Sequence, residues 1–236
     1  MSAQLSFVLV NEGSSASTLT ASITPEWLGA VATACTIQLD RDVSPNWGGS
    51  YSVRVSAAGQ PVAQGEIVFA LVDVLPNAPG AIAYHDVDGN ASPIAFLAIS
   101  TCNTLDDVSI AISHEVCETA GDAGCNVWAD DGAGAEWARE LCDAVESSNY
   151  VIDTVKVSDF VLPSFFVPNA HAPYSYTESV GGTAIVPAPF RTASGGYQIT
   201  RSDTGQETQV NGRVSAHRAD KLAHWSCRAA RRRLQT

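Results

Sequence analysis

His114 and Glu118 stand four residues apart in Ser113-His114-Glu115-Val116-Cys117-Glu118-Thr119-Ala120-Gly121-Asp122. On an α-helix that spacing stacks both side chains one turn apart on one face, where they can grip the same ion. The pattern is the helical His-Glu-x-x-His metal motif with glutamate in its fifth position. Glu115 projects about 60° round the helix from Glu118, at roughly 100° per residue, beside an ion rather than on it. A carboxylate so placed can take a proton from water. The chemistry suggested is metal-assisted hydrolysis with Glu115 as the general base.

Two ligands on one helix do not close a site, because catalytic zinc usually takes three protein ligands and a water. Glu140 is the expected third, with Glu136, Asp143 and Asp122 competing for the place. A His114, Glu118 and Glu140 set carries two negative charges and formally neutralises a divalent ion. Zinc is the expected metal, and the oxygen-rich donors keep manganese or calcium in second place. Asp122 reads either as a helix-end residue after Gly121 or as a brace behind the ligands. Asp159 reads as a turn cap before Pro163 or as a similar brace. His85 stands at a strand end beside Asp86, either hydrogen-bonded to it or facing a substrate oxyanion.

The elements that must position these residues follow from periodicity and punctuation. The opening segment, Met1 to Val10, reads as a first strand. Thr24-Pro25-Glu26 opens a helix, with Thr as N-cap, Pro at the first position and an acid in the first turn. Trp27, Leu28, Val31, Ala34, Cys35 and Leu39 form its apolar stripe, and Pro45 with Gly48-Gly49 is expected to end it. Tyr51 to Val55 alternates as a half-buried strand, and Glu66 to Val74 is a continuous apolar run suited to a central one. Ala81 to Asp86 and Pro93 to Ile99 read as two more, joined by the turn-rich Asp88-Gly89-Asn90.

The motif helix is expected from about Asp106. Ile112, Val116 and Ala120 form its apolar face, and Asp107, Ala111, His114, Glu118 and Asp122 its metal-facing stripe. Beyond it, Asp130 to Ala135 is a polar loop, Glu136 to Val145 a short helix or an extended piece, and Tyr150 to Phe160 a strand. From Leu162 onward a loop-rich wrap carries a hairpin near Tyr197 to Val210. Arg213 to Arg233 is expected as a basic amphipathic helix.

Composition narrows the functional classes. With 45 % hydrophobic and 16 % charged residues, the 236-residue chain is not a disordered one. No apolar run approaches membrane-spanning length. The N-terminus lacks a basic n-region, so no secretory signal is expected and a reducing cytoplasm is. The six cysteines form no C-x-x-C pair and read as buried free thiols. Residues 1 to 212 hold 6 basic against 24 acidic side chains, whereas residues 213 to 236 hold 7 against 1. The acidic body disfavours nucleic acid as a partner, leaving only the Arg213 to Arg233 segment suited to one.

Four blocks in order carry a resemblance. They are Ile37 to Gly48, with Gln38, Arg41, Asp42, Pro45, Trp47 and Gly48; Ala81 to Asp86, with Gly89 and Pro93; Ser113 to Glu118, with Asp122; and Glu140 to Asp143 together with Val157 to Pro163. Over roughly residues 24 to 200 the chain resembles an uncharacterised family of bacteria and tailed phages whose members look like distant zincin metalloproteases. Ala123 and Ala144 stand where the family pattern has proline, and the tail from Arg213 has no counterpart in it.

The resemblance implies an α+β, zincin-like fold, a mixed sheet packed on the motif helix, with a loop-rich C-terminal extension. It favours Glu140 and Asp143 as site members and makes His85 a catalytic candidate with Glu115. The expected organisation is a zincin-like domain over residues 1–165, a wrap over 166–212 and a basic tail over 213–236. The expected activity is zinc-dependent cleavage of a peptide or peptidoglycan cross-link. The other reading is a phage virion protein, packaged from the cytoplasm, whose metal site is vestigial or structural and whose extension docks on other virion proteins.

Overall fold

The structure, a computed structural model, describes residues 4–76, 78 and 80–212. The chain opens with strand β1 (Gln4–Asn11) and a short helix α1 (Thr18–Ser22). Helix α2 (Pro25–Ile37) follows, capped by the Thr24 side chain, which accepts the Trp27 N–H. Helical backbone continues through a π segment (Gln38–Val43) and α3 (Ser44–Trp47), and Gly48 stops it at φ 75°, within the expected Pro45 to Gly49 stretch. Pro45 lies inside this continuous run, at the start of α3, and does not end it. Only glycine takes the positive φ at little cost, so Gly48 rather than Pro45 sets the boundary.

Strands β2 (Ser50–Ser56), β3 (Glu66–Val72), β4 (Ala83–Val87) and β5 (Pro93–Ala98) complete a five-stranded sheet in the order β2-β1-β3-β5-β4. Strands β2, β1, β3 and β5 run parallel, and β4 is an antiparallel edge. The protein is therefore α+β with a mixed sheet. Helix α4 (Leu105–Asp122) packs against β4 and β5. Side-chain alternation divides the sheet's faces. Phe7, Leu9, Phe69, Leu71, Leu97 and Ala83 join the core shared with α2 and α4. On the other face the Tyr84 and Phe96 rings pack tilted at 37°, with centroids 5.4 Å apart. His85 has the parity of Ala83, so β4 delivers its ring to the α4 side.

Past α4, the extended alternative for residues 136–145 holds in part: β6 (Trp128–Asp130) and β7 (Ala135–Ala138) pair as a hairpin, and a 3₁₀ turn occupies Asp143–Val145. The single strand expected over residues 150–160 is a hairpin of β8 (Asn149–Ile152) and β9 (Val155–Ser158), folded at Asp153 with φ 54°. Helix α5 (Tyr176–Ser179) and the expected hairpin, β10 (Tyr197–Ser202) with β11 (Glu207–Asn211), follow. Strand β10 also pairs with β7, giving a second sheet ordered β11-β10-β7-β6. Residues 166–212 thus share a sheet with 135–138, and Tyr174, Val186 and Ala193 share a core cluster with Ala144, Val161 and Phe165.

Cys35, Cys102, Cys117, Cys125 and Cys142 are buried free thiols, as expected. Among the described residues no helix is long and apolar enough to cross a membrane. The helix expected over Arg213 to Arg233 lies outside the described residues.

Asp42 in the π segment is a hub between distant parts of the chain. It accepts hydrogen bonds from the hydroxyls of Tyr150 (2.7 Å) and Tyr176 (2.6 Å) and pairs with Arg41. Arg41 is more than half exposed, so that pair adds little. The cost of losing Asp42 falls on the two hydroxyls. Both tyrosines are only half-buried, so at the low end of about 1–3 kcal/mol per unpaired polar group Asp42→Ala is expected to cost about 2 kcal/mol in urea unfolding. A loss below about 1 kcal/mol would mean that water replaces the carboxylate.

Candidate metal centre

The side chains that could hold an ion come from three elements. Helix α4 starts on a capping box: Thr104 Oγ1 accepts the Asp107 N–H (3.1 Å), and Asp107 Oδ2 accepts those of Thr104 and Asn103. Asp107, expected on the metal-facing stripe, is therefore a cap. Ser113 fixes the helix against its neighbours. Its Oγ donates to Gln38 Oε1 (2.9 Å) and accepts the Ser158 N–H (2.8 Å), while Gln38 Nε2 donates to the Ser158 carbonyl (2.8 Å). So held, α4 turns His114, Glu115 and Glu118 inward, all buried.

The second element is β4 with His85, and the third is the segment from Glu140 to Glu146. Strand β10 holds that segment: Gln198 Nε2 donates to the Glu140 carbonyl (2.8 Å), and a Cβ at Gly196 would lie 2.3 Å from the Ala144 carbonyl oxygen. Only glycine permits that approach. Gly121 does similar work on α4, since a Cβ there would meet Leu141 at 2.6 Å.

Around His114 the donors converge. Its Nε2 lies 3.1 Å from Glu118 Oε1 and 3.3 Å from Asp143 Oδ1, and its Nδ1 lies 3.2 Å from Glu146 Oε2. His85 Nδ1 lies 3.1 Å from Glu115 Oε2 and 3.5 Å from Glu118 Oε2, and its Nε2 is 3.6 Å from Glu140 Oε2. His114, Glu118 and Asp143, all buried, could hold a metal ion. The two separations from His114 Nε2 come close to the roughly 3.3–3.5 Å that bonds of about 2.0–2.2 Å at tetrahedral angles impose between donors, and all three donor atoms lie within 4.8 Å of one another.

Asp143, one of the competitors for the third place and at the head of the 3₁₀ turn, lies in the His114 group, whereas Glu140 faces His85. The expected His85–Asp86 partnership is replaced by His85–Glu115, while Asp86 Oδ1 accepts the Val87 N–H. Asp122 and Asp159 serve elsewhere. Asp122 Oδ2 accepts the Val127 N–H (2.7 Å) and anchors the loop after α4. Asp159 accepts the Phe160 and Thr177 N–H groups and the Thr177 hydroxyl, tying α5 to the end of β9.

Electrostatics favour a cation. Among the described residues, the ion pairs of Glu115, Glu118 and Asp143 all go to His85 or His114. Burial and the Glu118 charge raise the Asp143 carboxyl well above its ordinary value. Burial likewise raises Glu115, with Glu118 adding to it and His85 opposing. Burial would raise Glu118 too, but His114 and His85 pull it below the usual carboxylate range. Burial alone would lower both histidines. For His85, Cys125, Glu115 and Glu118 overcome it, and for His114, Glu118 and Glu146 lead the groups that do, so both rise well above 6.5. Without an ion the cluster must hold protons, and a divalent cation can replace them.

Two members escaped sequence reading. Glu146 follows Asp143 by three residues, the spacing at which side chains on a 3₁₀ turn line up, so that signal was available. Tyr197 comes from β10, and no local pattern links it to the site. Burial, then the Asp143 and Glu146 charges, push its phenol well up, so it stays a neutral donor near Asp143. The chain matches no family model, no curated protein and no solved structure.

Proposed function

We propose that the protein is a zincin-like, metal-dependent hydrolase of amide bonds, with its cation held by His114, Glu118 and Asp143. The observation carrying this reading is the approach of two carboxylate oxygens to His114 Nε2, at 3.1 and 3.3 Å. One imidazole and two carboxylates suit zinc, with manganese next, and three protein donors leave a coordination position open. When bound, the cation supplies Lewis-acid polarisation of a carbonyl and lowers the pKa of water. Glu115 is then the base. Burial raises its proton affinity, and His85 Nδ1, 3.1 Å away, fixes its carboxylate. Tyr197, kept neutral, hydrogen-bonds Asp143 and so steadies that ligand. Peptide and peptidoglycan cross-links both offer the bond required.

Glu115→Gln keeps the shape and removes the proton acceptor. Turnover of a peptide library or of cross-linked muropeptides should fall about 10²–10⁴-fold with the His114-bound cation retained. Unchanged turnover would exclude Glu115 as base, and a zinc-loaded wild type that cleaves neither class would overturn the hydrolase reading. A second reading has burial in its favour: even the His114 side chain is only 10 % exposed, as in a closed structural site. In that case removing the ion changes stability and no reaction.

A further inference from the structure

The two histidines are built into the cluster in the same way. Each turns one ring nitrogen toward two carboxylate oxygens and the other toward a third carboxylate. For His114 the pair is Glu118 Oε1 with Asp143, and the third is Glu146. For His85 the pair is Glu118 Oε2 with Glu115, and the third is Glu140. A ligating histidine characteristically offers one nitrogen to the ion and its other N–H to a carboxylate, so both rings have the surroundings of metal ligands. The His85 ring is 1 % exposed, and Glu140 Oε2, 3.6 Å from Nε2, stands as the outer carboxylate behind a ring whose Nδ1 groups with Glu115 and Glu118. Its Nδ1 group has donor separations of 3.1 and 3.5 Å, matching those around His114.

We propose that His85, Glu115 and Glu118 form a second divalent-cation site, and that Glu118 bridges two ions through one oxygen each. Paired ions in hydrolytic sites lie about 3.5–4 Å apart, a span one carboxylate can bridge. The inference rests on the His114 site of the hydrolase reading and adds regulation to it. The second ion shares Glu118 and is repelled by the first, so it binds more weakly. It also engages Glu115, the base, so filling the second site opposes hydrolysis. Free metal concentration would thereby first activate and then inhibit.

The test uses the full chain, stripped of metal and titrated with zinc alone by calorimetry and by equilibrium dialysis with elemental analysis. Two ions per chain are expected, the second weaker. His85→Ala should raise only the second dissociation constant, by about 100-fold or more, and Glu140→Gln should raise it about 10–100-fold through the lost outer partner. A measurement free of variants is the electron paramagnetic resonance of the manganese-loaded wild type. The isolated six-line signal at one equivalent should give way to a spin-coupled pair at two. Saturation at one ion, lost in Asp143→Ala, overturns the second site and leaves the first standing. Two ions that are uncoupled, or unaffected by His85→Ala, also overturn it. No bound ion at all overturns both.

Discussion

Glu118→Gln should leave the protein without a stoichiometric cation. The two carboxylate oxygens face different histidines, Oε1 toward His114 at 3.1 Å and Oε2 toward His85 at 3.5 Å. Glutamine fills the same volume but carries no charge, and its amide nitrogen would present N–H groups where an ion needs a lone pair. Changing only a partner behind a ligand already costs about 10–100-fold in metal affinity, so losing a shared ligand should cost at least roughly 100-fold. The fold should survive. The substitution removes one of several neighbouring buried negative charges, and Ser113 and Gln38 still clamp the helix. Elemental analysis after dialysis, with circular dichroism as the folding control, decides the matter. A folded variant retaining one tightly bound ion would show that Glu118 is not a ligand.

Removing the metal should lower the melting temperature by about 10 °C relative to protein in saturating zinc. A ligand at a thousand times its dissociation constant stabilises the native state by about 4 kcal/mol. For a domain of this size each kcal/mol moves the midpoint by roughly 2–4 °C. The pH dependence should separate the two forms. In the metal-free protein His85, His114, Glu115 and Asp143 all have raised proton affinity. Their favourable protonation is fully present below the unfolded-state values and is lost as pH rises through the folded ones. For the histidines that loss begins above about pH 6.5. Chelated protein should therefore lose stability between neutral and alkaline pH. The zinc contribution should grow over the same interval, because the ion needs deprotonated ligands. Calorimetric scans with zinc and with chelator at several pH values test this. A gap that stays constant or shrinks toward alkaline pH would be incompatible with ligands that give up protons to the ion.

What was readable in the residue string alone was whatever depends on neighbours close in the chain. His114 and Glu118 belong together because helical geometry relates positions four apart. The α2 cap at Thr24 and the strands around residues 5–10, 51–55, 66–72, 83–87 and 93–98 follow from local pattern in the same sense. Tertiary structure decided which distant group completes the site. Spacing favoured Glu140 and left Asp143 a competitor, whereas Asp143 is the one grouped with His114 and Glu118. The choice between them came from β10, which pairs with β7, approaches Ala144 at Gly196 and sets the path of the intervening chain. That pairing also explains why residues 135–138 are a strand despite a sequence compatible with a helix. Hydrogen bonds to residues more than 60 positions away outweigh local preferences worth only tenths of a kcal/mol per residue. His85 meets Glu115 for a similar reason: alternation along β4 chooses its face, but only the packing of α4 on the sheet puts a carboxylate opposite.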